Sequence, residues 1–145
     1  MMSLLIIVLV LCTLTEEKNY IINGGFEDPT VPDYGFYNSP SISGWEGSFD
    51  LHGRLLIIGS TFVTQYVDIS GQFNGFIVQN MTLPKYGVYN LTFEFEPASI
   101  NYEDSKAEVY WNEELVATVQ SFERKVTSVS FQLYGDKGVN ILKIV

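Results

Sequence analysis

The sequence predicts an all-β fold: a single β-sandwich preceded by an apolar N-terminal segment. Three observations carry this. Apolar residues alternate with polar ones in two long stretches, as a half-buried strand requires: Leu91, Phe93 and Phe95 against Asn90, Thr92, Glu94 and Glu96, and Val129, Phe131 and Leu133 against Ser128, Ser130 and Gln132. Short β-branched and aromatic runs are separated by turn residues such as Ser70-Gly71, Asn74-Gly75 and Asp136-Lys137-Gly138. No stretch keeps helical periodicity for more than a turn or two. At 145 residues the chain is one domain.

Eight Lys and Arg against seventeen Asp and Glu give a formal charge of -9. That excludes nucleic acid and anionic lipid as partners, since both need a basic surface to displace counterions. The aromatic share of 14% suits strands and also supplies stacking platforms.

Residues 1–15 form an apolar leader. Leu4-Leu5-Ile6-Ile7-Val8-Leu9-Val10-Leu11 is unbroken aliphatic chain, too short to span a bilayer as a helix and the length of a secretory h-region. Two readings stand for it: a cleaved signal peptide, or a retained strand that fills a sheet edge on a neighbouring copy. Cys12 is the only cysteine and lies in this leader, so secretion is argued from the leader and from two N-glycosylation sequons, Asn80-Met81-Thr82 and Asn90-Leu91-Thr92. The alternation around Leu91 puts Asn90 on a solvent face.

Residues 16–22 read as a connector and opening strand, and 23–145 as the sandwich. In Asn23-Gly24-Gly25-Phe26-Glu27-Asp28-Pro29 the glycines permit positive φ, Phe26 is an apolar anchor and Pro29 ends pairing. Residues 30–43 read as a long turn-rich loop with Tyr34, Phe36 and Tyr37. Strands are then expected at residues 49–53, 55–58, 65–69, 76–79, 89–96, 107–112, 115–119, 126–133 and 141–145. Between 107–112 and 115–119 the turn is Asn112-Glu113-Glu114. With Glu113 where a tight hairpin wants glycine, a loop longer than two residues is expected.

The run Asn23-Gly24-Gly25-Phe26-Glu27, with Gly44-Trp45 after a loop, resembles the opening signature of galactose-binding-like jelly-roll modules. Gln65-Tyr66-Val67-Asp68-Ile69, Phe76-Ile77-Val78-Gln79 and Val109-Tyr110-Trp111-Asn112 resemble later strands of the same family, in the family's order. That family includes carbohydrate-binding modules and plant-type secreted cell-wall β-sandwich proteins. The resemblance implies that Trp45 is a core residue. It also implies a structural calcium near the opening strand, held by the Glu of the signature and an acidic residue of the last strand. Glu27 is present, but Lys143 falls near the second position and opposes a cation. The candidate ligands are therefore Glu27, Asp28 and Asp136.

Catalytic constellations are poor. His52 is the only histidine and no nucleophile elbow exists. Glu94 and Glu96 read as one solvated strand face rather than a hydrolytic pair. Two non-enzymatic functions are expected. The first is an extracellular structural protein that self-assembles with other copies through residues 4–11. The alternative is a carbohydrate-binding module for polysaccharide, using Tyr34, Phe36, Tyr37, Asp50, His52 and Arg54 to stack and hydrogen-bond a sugar.

Overall fold

The structure is a computed structural model and describes residues 4–13, 18–38, 41–53, 65–69, 75–97, 106–123 and 125–145. Among them the secondary structure is all β, in eleven strands: β1 (Leu4–Thr13), β2 (Phe36–Asn38), β3 (Glu46–Ser48), β4 (Asp50–His52), β5 (Tyr66–Asp68), β6 (Phe76–Leu83), β7 (Gly87–Pro97), β8 (Lys106–Trp111), β9 (Glu114–Gln120), β10 (Thr127–Gly135) and β11 (Gly138–Ile144). They form two antiparallel sheets, ordered β10-β7-β1-β5-β4-β2 and β3-β6-β11-β8-β9.

Alternation decides which side chains the sheets share. On β7, Tyr89, Leu91, Phe93 and Phe95 are buried, and Leu51 of β4 and Val67 of β5 are buried beside them. Facing them from the other sheet are Ile77, Met81 and Leu83 of β6, Ala107, Val109 and Trp111 of β8, and Leu142 and Ile144 of β11. All belong to one hydrophobic cluster, the arrangement of a β-sandwich. Truncating a central member such as Phe93 to Ala costs about 3–5 kcal/mol through lost burial and the cavity left behind.

The apolar N-terminal run is β1, antiparallel to β7 from Leu4 opposite Pro97 to Thr13 opposite Tyr89, with an irregularity between Ile6 and Val8. Its other side pairs antiparallel with β5 at Leu5 opposite Asp68 and Ile6 opposite Val67. Strands β5 and β7 therefore run in the same direction, and β1 fills the place between them. No helix among the described residues is long and apolar enough to cross a membrane.

The segment expected to open the fold as a strand does not do so. Ile21 bends and residues 22–25 turn, closed by the Phe26 amide donating to the Asn23 carbonyl at 3.0 Å. Positive φ falls on Asn23 (50°) and Phe26 (57°) rather than on the two glycines between them. Two buried glutamines fix this turn to the sheets. Gln79 accepts from the Ile22 amide at 2.8 Å and donates to the Ile22 and Gly44 carbonyls at 2.9 and 3.0 Å. Gln65 accepts from the Val31 amide and donates to the Phe26 carbonyl, and to that of Pro29 at 2.9 Å. Gly44 adopts φ +81°, and a Cβ there would meet the Ile22 side chain at 2.9 Å, which is why glycine precedes Trp45. Trp45 is buried as expected, packs on Phe26 at 5.4 Å, and donates its indole N–H to the Asn23 carbonyl at 3.1 Å.

The loop predicted after β8 is shorter than expected. Trp111 pairs with Glu114, leaving only Asn112 and Glu113 in the turn, at φ 48° and 71°. This is the doubly positive pattern that matches the twist of a two-residue hairpin. Asn112 accepts from the Ile141 amide at 2.8 Å and donates to the Asn140 Oδ1 at 3.0 Å, and these bonds hold the tight turn despite Glu113.

Candidate functional site

Three neighbouring strands place the candidate site on the outer face of the six-stranded sheet. Leu51 and Val67 point into the core, so period-two alternation turns Asp50 and His52 of β4, and Tyr66 and Asp68 of β5, the other way. Register sets Phe36 of β2 opposite His52, and His52 opposite Tyr66. The rings stack in that order. Phe36 and His52 have centroids 5.8 Å apart with 21° between planes, and His52 and Tyr66 are 5.0 Å apart with 7°. The column runs from interior to edge: Tyr66 is 3% exposed, His52 is half-buried and Phe36 is 59% exposed. Strand β2 is the last strand of its sheet among the described residues, so none of the described strands neighbours the Phe36 ring face turned away from His52.

A second, polar row lies beside the rings. Asn38 pairs with Asp50 and Asp50 with Asp68, and beyond Leu5 of β1 the row continues to Glu96 of β7. Asn38 is exposed and Asp50 and Asp68 are half-buried, while Glu96 is buried at 4%. The electrostatics show in Tyr66, whose phenol is pushed up to about 12 by burial first, then by the Asp68 and Glu96 carboxylates. It stays a neutral hydroxyl at any physiological pH.

Of the six sugar-binding residues expected from the sequence, the structure brings Phe36, Asp50 and His52 together on this face. Tyr37 sits at the register position of core-facing Leu51, on the opposite side of β2, and is 47% exposed. Tyr34 is 62% exposed at φ 63° in the preceding turn, where the Gly35 amide donates to the Pro32 carbonyl at 2.8 Å. Arg54 lies outside the described residues. Tyr66, Asp68 and Asn38 were not among the expected residues. The alternation within Gln65-Tyr66-Val67-Asp68-Ile69 already put Tyr66 and Asp68 on one face, but only the register with β4 shows what they join.

The other expected residues are dispersed. Among the described residues no group of three or more His, Cys, Asp or Glu gathers as a metal ion would need, so Glu27, Asp28 and Asp136 do not form a set. One Glu27 carboxylate oxygen accepts the Gln65 amide at 3.3 Å instead. Asn80 is exposed on β6 and lines a shallow groove of about 400 Å³ with Trp45, Glu46 and Val78. Asn90 is half-buried on β7, and Glu94 is half-buried beside the buried Glu96. A second groove, of about 440 Å³, is lined by Tyr110, Glu113, Ile141 and Lys143 on the outer face of the five-stranded sheet. Residues 4–11 belong to β1, paired inside their own chain. No family model, curated protein or solved structure matches this chain.

Proposed function

We propose that this chain is a non-enzymatic, secreted carbohydrate-binding protein with a galactose-binding-like jelly-roll fold, and that it engages polysaccharide at the outer edge of the six-stranded sheet. The observation that carries the reading is the column Phe36-His52-Tyr66, which ends in a ring 59% exposed at the edge strand. An exposed aromatic face backed by stacked rings takes the apolar face of a sugar, and the carboxylates and amide of the adjacent row accept its hydroxyl protons. The only histidine is engaged between two rings, which favours a positioning and binding role over acid–base work. Secretion follows from the leader, and Asn80 and Asn90 are the glycan acceptors in a host that modifies sequons.

Affinity electrophoresis of the full chain through gels holding different cell-wall and cell-surface polysaccharides tests this. At least one gel retards the wild type and not Phe36→Ala. No retardation by any polysaccharide, with the protein folded, overturns the reading.

A second reading rests on a different observation: β1 is an aliphatic strand lying between two strands that run in the same direction. In that reading the chain is an extracellular structural subunit, and β1 of one copy occupies the place between β5 and β7 of the next, giving a homopolymer by strand exchange. Intact mass of the native protein and negative-stain microscopy of the same sample decide it. Residues 4–11 retained within fibres that Ile6→Asp with Val8→Asp abolishes support exchange, whereas a monomer starting near Glu16 excludes it.

A further inference from the structure

Among the described residues four strands end the two sheets: β2 and β10 in one, β3 and β9 in the other. A sheet end invites a further strand unless it is short, charged, bulged or interrupted by proline. Three of the four carry such a device. Strands β2 and β3 are three residues long. Strand β9 carries Glu114 and an extra residue, Val116, where its register with β8 passes from Ala117 to Leu115. Strand β10 has none of these. It runs for nine residues, Thr127-Ser128-Val129-Ser130-Phe131-Gln132-Leu133-Tyr134-Gly135, without a charge or a proline and in unbroken register with β7. Its inner face is also left partly open. Val129 and Phe131 pack on the core, Phe131 against Phe93 at 6.0 Å, yet both are only half-buried, and Ser128, Ser130, Gln132 and Tyr134 are exposed on the outer face.

We propose that β10 is a dimer interface, where it pairs antiparallel with β10 of a second copy about a two-fold axis at Phe131. Alternation admits only registers that keep like faces together, and centring on Phe131, the middle residue, pairs every position of the strand. Val129 then meets Leu133 of the second copy and Phe131 meets its own counterpart, which closes the open edge of the core. On the outer face Ser130 meets Gln132 and Ser128 meets Tyr134, pairs that can hydrogen-bond. The occupant is a second copy because the strand is complementary to itself in this register. A chain of formal charge -9 also meets its like with least repulsion along an uncharged strip. The assembly closes at two copies, since the joined sheet ends in the short β2 on both sides. Phe36 then stands at each end, so on the carbohydrate reading the dimer is bivalent; the pairing itself does not depend on that reading.

Sedimentation of the full chain over a dilution series in about 0.15 M salt tests the interface. The wild type should rise to twice the chain mass and no further. Ser130→Lys with Gln132→Lys sets like charges directly opposite each other at two places and should weaken dimerisation about tenfold or more. Ser130→Lys with Gln132→Glu sets opposite charges at the same places and should restore it. Both positions are exposed in the single copy, so neither variant disturbs its core. Thr118→Lys, exposed on β9, should leave the dimer intact. A wild type that stays monomeric up to about 1 mM, species growing beyond two copies, or a dimer that the two lysines leave unchanged would overturn the proposal. So would a folded Ser130→Lys, Gln132→Glu variant no better at dimerising than the lysine pair, or weakening by Thr118→Lys as large as by that pair.

Discussion

The imidazole of His52 and the phenol ring of Tyr66 lie 5.0 Å apart with 7° between their planes, and the Asp68 and Glu96 carboxylates bear on the same phenol. Burial and those two charges all oppose a phenolate, raising Tyr66 from 10.0 to about 12. In the unfolded chain the tyrosine loses its proton near 10. The folded value is the higher one, so this group's contribution to stability is fully present below pH 10 and is lost as pH rises towards 12. Ultraviolet difference titration should show one tyrosine titrating near the top of that window and absent from Tyr66→Phe. The same variant should flatten the decline in unfolding midpoint between pH 10 and 12. An unchanged titration curve in Tyr66→Phe would remove the charge coupling from the account.

The hairpin at Asn112 and Glu113 is held against the preference of one of its residues. A non-glycine side chain in the left-handed region costs roughly 1–2 kcal/mol, and Glu113 sits at φ 71°. Replacing Glu113 with Gly should therefore raise stability by about 1 kcal/mol, read from denaturant unfolding with an unchanged slope. Asn140 behaves oppositely. It is fully buried, accepts from Asn112 and the Asp136 amide, and donates to the Asp136 and Gly138 carbonyls. Asn140→Ala strands these partners and should cost about 3 kcal/mol.

Much of this fold is legible in the sequence where a strand is long and half-buried. The alternation of Leu91, Phe93 and Phe95 against polar neighbours places β7, and that of Val129, Phe131 and Leu133 places β10. Strands β2 and β3 escape because they are three-residue edge strands whose positions are all exposed, so no apolar period marks them. The turn at Asn112 and Glu113 escapes for another reason: side-chain bonds from Asn112 to Ile141 and Asn140, nearly thirty residues away, make up for the missing glycine. Half of the candidate site is legible as single residues, Phe36, Asp50 and His52. The column and its polar row are not, because they exist only in the register of β2, β4 and β5, which long-range packing sets.

The two buried glutamine clasps carry a separate expectation. Gln79 satisfies the amide and carbonyl of Ile22 and the carbonyl of Gly44 from a side chain 1% exposed. Gln79→Leu keeps the volume and removes every one of these bonds, so it should destabilise by roughly 2–4 kcal/mol and speed amide exchange at Ile22. Exchange there equal to the wild type would mean that the turn is held by other contacts.

Phe36 offers a clean functional test because it is the outermost ring of its column. With 59% of it already exposed, Phe36→Ala should change stability by no more than about 1 kcal/mol, so lost binding reads as lost contact. His52→Ala removes the middle ring instead and should lower stability by about 1–2 kcal/mol, with Phe36 left unsupported. Thermal unfolding of the two variants side by side should rank them in that order.

The measurement that bears most directly on the account is retardation of wild type and Phe36→Ala in parallel gels containing polysaccharide. The account predicts that a polysaccharide slows the wild type, that Phe36→Ala runs as in the blank gel, and that both proteins unfold at nearly the same denaturant concentration. Equal retardation of the two, or none for either, would contradict it: the stacked column would then be a device for joining strands at the sheet edge and not a ligand platform.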